Sequence, residues 1–452
     1  MKQVINSQSR RSFLKQSGAL ASLTFIPSTV WSNIKQQKTR TAHIGVGGMG
    51  FADLQAIANH SSVEVAALCD VDSKNLAHAN KSFTSAKGFA DYRRLFDKMI
   101  GEIDAVIVST PDHTHAPASL MAMEMGLPVY CQKPLTHHVS EAREMARLAY
   151  EKNLVTQMGI QVHSFYDYQL ATKLIQSGII GKVHTVHAWS PKNWGYDGPA
   201  PTSSGKAPDH LDWNLWLGTA PQRAFSKSLY HPMNWRKIMD YGCGTLGDMG
   251  VHIFDTPYNA LALDVPKTIT NTCRPPTGFG FPEKNKVIYT FRGTAYTAEE
   301  LTWIWYDGEG APELSKELKL PNGEKLPDQG AMFLGAKGNL LLPHFMQLPR
   351  LIVEGTYESL EAEISKYNDE LGGPTKDYDT ESNKHYHQFI DHVRQEGQVS
   401  APFSYASRLT ETILLGVIAG RFPNQTLHWD RKKAAFSQSE ANRFLSGDYR
   451  NF

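Results

Sequence analysis

Gly45-Val46-Gly47-Gly48-Met49-Gly50 is the stretch that decides the fold. A short β-type run over residues 41–46 leads into it, and a helical pattern follows to about residue 59. The next apolar run, over residues 63–69, ends at Asp70, which lies 20 residues beyond Gly50. Strand, glycine turn, helix, strand and acid stand in the register of a dinucleotide site. Glycines there permit a tight turn and close approach of backbone N–H groups to a pyrophosphate, which then faces a helix N-terminus. Gly45, Gly47, Gly48, Met49 and Gly50 form the candidate cradle. Asp70 is placed to accept hydrogen bonds from the adenosine ribose hydroxyls. A carboxylate at that position repels a 2′-phosphate, so NAD is favoured over NADP.

The alternation continues outward. Strand patterns over residues 103–109, 128–131 and 155–159 alternate with helical patterns over 114–125 and 139–152. This predicts an α/β Rossmann fold, a doubly wound parallel sheet with right-handed crossovers. Ligands sit at the carboxyl ends of such strands. Three segments fall there: Ser109-Thr110-Pro111 through His115, Cys131-Gln132-Lys133-Pro134, and residues 157–163 with Gln161 and His163. From residue 181 the pattern changes. Strand patterns over 183–190, 287–292, 301–306 and 351–354 lack intervening helices, which predicts an α+β second domain with a mostly antiparallel sheet. Between them lies an insertion rich in tryptophan and tyrosine. Aromatic faces stack on sugar rings, but core packing is the expectation for most of these side chains. Trp194 and Trp235, close to Lys192-Asn193 and to Arg236, are the binding candidates.

The segment 241–252 carries the clearest chemistry. Asp248 and His252 are four residues apart, so on a helix predicted over 247–261 they share one face. An acid near a helix N-terminus stays ionised. A carboxylate beside an imidazole orients it and stabilises its protonated form, as a base that removes a hydroxyl proton requires. Taken alone, the pair is better read as a structural helix with an N-terminal acid and a satisfied histidine.

The glycine loop, Ser109-Thr110-Pro111 with His115, Lys133-Pro134 after a strand, and a Gly-rich stretch ending in Asp248 and His252 together resemble the Gfo/Idh/MocA oxidoreductases. The likeness runs from about residue 40 to 422. It implies cofactor contacts from Ser109, Thr110, Pro111, His115, Gln132, Lys133 and Gln161, and substrate contacts from His163, Trp194, Trp235, Arg236 and Asp248. It implies that Lys133 stands at the nicotinamide and holds the reacting hydroxyl, that His252 is the acid/base, and that Asp248 contacts both His252 and substrate. It also implies an open-faced sheet that makes homodimers or homotetramers. The family usually has Glu before the lysine; here Gln132 stands there. His115, His137, His138 and His163 lack compact ligand spacing, so no metal is expected.

The 452 residues carry 46 Lys+Arg against 45 Asp+Glu, with 41% hydrophobic and 20% charged residues. This balance argues against disorder and against nucleic acid as a partner. Four scattered cysteines do not make a disulfide scaffold and are expected as small buried hydrophobes. Residues 9–15, Ser-Arg-Arg-Ser-Phe-Leu-Lys, form a twin-arginine pattern before a modest apolar run broken by Pro27. No acid occurs in residues 1–32, which hold four basic residues; without them 42 basic residues face 45 acidic ones. The expected organisation is a twin-arginine signal peptide over 1–32, a linker over 33–39, the NAD(P)-binding Rossmann domain over 40–160, a substrate and oligomerisation domain over 161–376, and a C-terminal helical segment over 377–452. The functional expectation is a periplasmic enzyme, exported by the twin-arginine machinery with NAD already bound. It would transfer hydride between a sugar hydroxyl carbon and NAD. An NAD-dependent glycoside hydrolase, working by transient oxidation, elimination, water addition and re-reduction, is the alternative. A non-catalytic exported sugar-binding protein is the third reading.

Overall fold

The structure is a computed structural model that describes residues 37–202, 205–313 and 315–452. The twin-arginine pattern, its apolar run and most of the expected linker lie outside the described residues. The first sheet comprises Thr39–Ile44 (β1), Val63–Cys69 (β2), Lys87–Phe89 (β3), Ala105–Val108 (β4), Val129–Gln132 (β5) and Thr156–Gly159 (β6). Helices Met49–Ala58 (α1), Ser73–Ser82 (α2), Tyr92–Met99 (α3), Asp112–Glu124 (α4) and Val139–Glu151 (α5) connect them. All six strands are parallel, in the order β3-β2-β1-β4-β5-β6. Strands covered on both faces read as unbroken apolar runs, and every residue of β4, Ala-Val-Ile-Val, is buried. The strand order reverses between β1 and β4. The crevice at that point, at the carboxyl ends, receives the glycine loop and the loops bearing Ser109 and Lys133. The doubly wound sheet expected from the sequence is therefore present. The helices α2 and α3, not among the elements expected from the sequence, are fixed at their starts by Asp72 and Asp91, whose side chains accept from Lys74 N and Arg93 N.

Ten strands form the second sheet: Val183–Ser190 (β7), Thr268–Thr272 (β8), Asn285–Arg292 (β9), Thr297–Asp307 (β10), Gly330–Gly335 (β11), Asn339–Pro343 (β12), Arg350–Val353 (β13), Thr356–Glu358 (β14), Thr426–Asp430 (β15) and Ala435–Phe436 (β16). Their order is β14-β13-β12-β11-β7-β10-β9-β8-β15-β16. Only the β7–β10 pair is parallel, so the sheet is mostly antiparallel, as expected. Along β10, Leu301, Trp303 and Trp305 are buried while their neighbours are partly exposed, the period-two signature of a sheet covered on one face. The second half contributes Tyr166–Gln176 (α6), Trp213–Leu217 (α7), Val251–Ala260 (α8), Glu361–Leu371 (α9), Tyr378–Val393 (α10) and Phe403–Ala419 (α11). Helix α8 packs on β7 and β11, α11 on β8, and α6 on α8.

Two expectations change. Leu246–Gly250 is a π-helical turn and α8 begins only at Val251, so the single helix over 247–261 is interrupted. The wider turn aims Asp248 differently from the regular helix that the spacing assumed. The tail is only partly helical. β15 and β16 extend the second sheet at its β8 edge. Helix α10 packs on α1, and α11 packs on α5. Residues 39–452 thus close into one compact unit. Cys69, Cys131 and Cys243 are buried, Cys273 is half-buried, and all four are free thiols. No helix among the described residues is long and apolar enough to cross a membrane.

Helix α8 is held on the second sheet by Phe254, whose ring stacks on Trp303 at 4.2 Å between centroids. Phe254 is fully buried. Truncation to Phe254→Ala is expected to lose roughly 3–5 kcal/mol of stability, the usual range for a buried Phe. A fall in the urea unfolding midpoint would measure it; an unchanged midpoint would contradict the packing role.

Candidate active site

The glycine loop is shaped by what a side chain would hit. A Cβ on Gly45, whose φ is +83°, would lie 2.5 Å from the Ser109 carbonyl oxygen. At the start of α1, Gly48 has φ +53° and nothing within 4 Å of where its Cβ would be. The loop is therefore close-packed below and open above, beside a helix N-terminus, which suits a dinucleotide pyrophosphate. Asp70, at the end of β2, accepts from Val46 N (2.9 Å) and Asp72 N (2.8 Å). These bonds lock the acid against the glycine loop and leave lone pairs for a ribose. The residues present fit NAD.

The aromatic insertion docks beside Asp70. Asp72 accepts from His210 Nδ1 (2.9 Å) and His231 Nε2 (3.0 Å), and Asp72 and Leu211 form a β-bridge. Leu211, Trp216, Tyr230, Trp235 and Tyr241 make the insertion's own core. Trp235 belongs to this core: it is 5% exposed and donates to the Pro232 carbonyl. It does not present a face to substrate, contrary to expectation, because its indole fills the cluster. Trp194 is different. Its Nε1 donates to Asp248 Oδ2 at 2.6 Å.

Asp248 is the meeting point. Lys133 Nζ donates to Asp248 Oδ1 (2.8 Å) and to the Asp248 carbonyl (3.1 Å). Arg236 Nε lies 3.4 Å from the same Oδ1, and its guanidinium covers the Trp235 ring at 4.2 Å. Burial alone would raise the Asp248 pKa. Lys133, Arg236 and the Trp194 indole outweigh it and hold the carboxyl well below the usual carboxylate range. The structure thus joins Lys133, Trp194, Arg236 and Asp248.

His252 is half-buried, and its Nδ1 has no hydrogen-bond partner among the described residues. Asp248 makes no hydrogen bond to it, because the π turn directs the carboxylate to Lys133 and Trp194. The expected orienting bond is therefore absent from this structure. Burial, then Lys133 and His344, push the imidazole well below its ordinary pKa, against a smaller opposing effect of Asp248. It is neutral and available as a proton acceptor. The His344 ring lies 6.2 Å away, and its Nδ1 is hydrogen-bonded to the Tyr168 hydroxyl.

Other candidates are fixed from behind. His163 is 7% exposed, and its Nδ1 bonds Asp255 at 2.9 Å; Tyr405 donates to the same carboxylate at 2.7 Å. Burial would lower the His163 pKa, but Asp255 raises it. His115 places its two ring nitrogens 2.8 Å from the Thr110 and Pro134 carbonyls. Burial keeps it neutral, so it donates to one of these carbonyls and packs against the other, between the Thr110-Pro111 loop and the Lys133 loop, with neither nitrogen turned toward a cofactor. Gln132 Nε2 lies 3.0 Å from both Asp53 oxygens, while Gln132 Oε1 accepts from Lys133 N at 3.1 Å. Asp53 also accepts from Ser109 Oγ (2.6 Å) and Tyr386 (2.6 Å), and Gln161 donates to that tyrosine (2.6 Å). Sequence reasoning missed Asp53, Asp112, Asp255, His344 and Tyr386. Asp112 is buried near Arg236, Lys133 and Asp248, and burial pushes its carboxyl up to about 7. Asp255 had a signal, since it stands three residues after His252 on one helix face. Asp53 and Tyr386 had none, being 333 residues apart. No cluster of His, Cys, Asp and Glu suited to a metal occurs among the described residues.

The amide at position 132 matches the buried carboxylate at 53. Gln132→Glu should lose more than about 2 kcal/mol, because two buried carboxyl groups would then face each other in place of the amide donor between them. The exchange Asp53→Asn with Gln132→Glu should recover most of that loss. A double-mutant cycle in urea checks it, and independent effects would refute the pairing. Asp248→Asn removes a carboxylate whose native pKa is depressed, so its stabilising effect is present above the unfolded value near 4 and fades as pH falls toward the native one. The stability gap between parent and Asp248→Asn should be constant from pH 6 to 8 and shrink below about pH 4. A gap that widens in acid would exclude the assignment.

Two family models match the chain: the NAD-binding Rossmann fold of the Gfo/Idh/MocA oxidoreductase family over residues 39–160, and that family's C-terminal alpha/beta domain over residues 167–327. The chain is 26% identical to levoglucosan dehydrogenase of Pseudarthrobacter phenanthrenivorans over 40% of its own length and 38% of that protein. It is 32% identical to a glycosyl hydrolase family 109 protein of Stenotrophomonas maltophilia over 27% of its length and 29% of that protein. The matched stretches thus span less than two fifths of either relative. A solved levoglucosan dehydrogenase in complex with NADH and levoglucosan superposes with TM-score 0.61 at 16% identity, covering 87% of this chain and 99% of that one, which shows a shared fold. With both domain models matched in order and the fold shared, the chain belongs to the Gfo/Idh/MocA oxidoreductase family.

Proposed function

We propose that the protein is an NAD-dependent oxidoreductase acting on a CH–OH group of a carbohydrate or polyol. The observation that carries this is the Lys133–Asp248 pair beside His252, whose Nδ1 has no hydrogen-bond partner among the described residues, at the carboxyl end of an NAD-binding sheet. Bound NAD supplies the hydride acceptor or donor. Asp248 holds the Lys133 ammonium in place, and that ammonium holds the substrate hydroxyl oxygen. His252, kept neutral by burial, takes the hydroxyl proton. Trp194 and Arg236 flank the substrate hydroxyls and position the ring. Dehydrogenase relatives support a sugar or polyol substrate.

A second reading uses the same first step. In net glycoside hydrolysis, oxidation of a ring hydroxyl acidifies the neighbouring C–H, the C1 substituent leaves, water adds and the hydride returns. The glycosyl hydrolase relative favours it. Lys133, whose ammonium is fixed by Asp248 where a reacting hydroxyl would bind, keeps oxidoreduction first. The twin-arginine pattern at residues 9–15 supports export as a folded, cofactor-loaded protein.

Acid denaturation of the purified protein should release NAD, and release of NADP would overturn the role given to Asp70. Lys133→Met should keep the nucleotide and lower kcat by roughly 10²–10⁴-fold with sugars and polyols, the scale of losing one positioned polar group. Full activity in Lys133→Met would exclude this site. Aryl glycosides in deuterated water separate the two readings: aglycone release with deuterium at C2 and no net NADH would establish hydrolysis.

A further inference from the structure

A cavity of about 420 Å³ lies behind the Lys133 loop, between the end of α11, the N-terminus of α5 and residues 443–449. Leu414, Val417 and Ile418 form its apolar floor. Its polar groups are uneven in charge. Arg421, two residues past the end of α11, is half-buried. Its guanidinium lies 4.3 Å from the centroid of the Phe444 ring, and the Arg443 guanidinium lies 4.6 Å from the same centroid. Among the described residues, the Arg421 side chain has neither a hydrogen-bond nor an ion-pair partner. Burial and Arg443 lower its pKa to about 10, against an opposing effect of Asp240, so it remains a cation at neutral pH.

The nearby acids are engaged elsewhere. Asp240 is paired with Arg223. Glu141 accepts from the Tyr449 hydroxyl (2.9 Å) and from the His137 and His138 backbone N–H groups (3.1 and 2.8 Å), and burial pushes its carboxyl up to about 7. Asp448 is exposed. His137 and His138 bond each other (3.1 Å) and are held neutral by burial. A half-buried guanidinium therefore faces a partly open cavity with no acid in direct contact, Asp240 acting on it only from a distance while paired with Arg223. Burying a charge unpaired is costly, and an anion in the space would remove that cost. Guanidinium binds carboxylate and phosphate in bidentate geometry.

We propose that this cavity binds a small anion of sugar size, bearing a carboxylate or a phosphate, with Arg421 as its main counter-charge and Arg443 at the mouth. The site is separate from the one containing Lys133 and Asp248 and does not depend on the activity proposed there.

The test is thermal unfolding and calorimetric titration of the full chain with inorganic phosphate and with citrate, at constant ionic strength set by sodium chloride. Saturable stabilisation is expected, with binding weakened at least tenfold in Arg421→Met, which keeps an aliphatic stem and removes the charge. Binding of citrate alone identifies a carboxylate ligand, and binding of phosphate alone a phosphate ester. In a zwitterionic buffer without added anion, Arg421→Met should be at least as stable as the parent, because it deletes an uncompensated charge. The proposal is overturned if neither anion stabilises beyond chloride, or if Arg421→Met binds equally well. It is also overturned if Lys133→Met abolishes the effect, or if Arg421→Met is clearly less stable without anion.

Discussion

One desolvated carboxylate sets the geometry of the site. Asp248 comes from the π turn that enters α8, Lys133 from the loop after β5, and Trp194 and Arg236 from the insertion after β7. Each of these segments belongs to a different part of the chain. A buried carboxylate is tolerated only where donors and cations surround it. The requirement that Asp248 be compensated therefore fixes three loops at once. It also explains why the lysine is held through its backbone neighbour as well as its ammonium. Gln132 accepts from Lys133 N and turns its amide toward Asp53, so the strand end beneath the lysine is braced by a second buried carboxylate.

Where an element is written in local periodicity, the sequence carried it. β2 and β7 occupy the residues their apolar patterns marked, and the parallel doubly wound sheet follows from alternation and handedness, whereas the short exposed edge strand β3 carried no apolar pattern. The glycine loop and Asp70 were legible for the same reason, since every part lies within one βαβ unit. The site was legible only as an inventory. Lys133, Asp248 and His252 converge, but the Asp248–His252 pairing inferred from i,i+4 spacing is replaced by Asp248–Lys133. The spacing rule assumes a regular α-helix, and residues 246–250 are not one. Trp235 and Trp194 could not be told apart in sequence, because the difference lies in what each indole nitrogen meets, a backbone carbonyl in one and a carboxylate in the other. The departure from the family pattern at Gln132 became interpretable only once Asp53, on another element, was seen opposite it.

The insertion and the tail do related work at opposite sides of the crevice. Near β2, Asp72 gathers His210 and His231 and so ties the aromatic cluster to the rim next to Asp70. Behind β5, α11 lies along α5, and Thr410 Oγ1 accepts from the Leu135 N–H just past the lysine. The Lys133 loop is thus clamped between a polar site in front and a helix behind.

The position of α10 has a consequence for how the chain matures. Tyr386, Phe389 and Ile390 belong to the same apolar cluster as Val46, Leu54 and Ile57 of the nucleotide-binding half, and Tyr386 completes the donors around Asp53. As the polypeptide leaves the ribosome, the first half cannot finish burying that cluster, or quench that carboxylate, until residues 386–390 have been made. The nucleotide-binding half is early in sequence but late to become rigid, so a nascent chain stalled before α10 would carry an exposed apolar flank that invites chaperones.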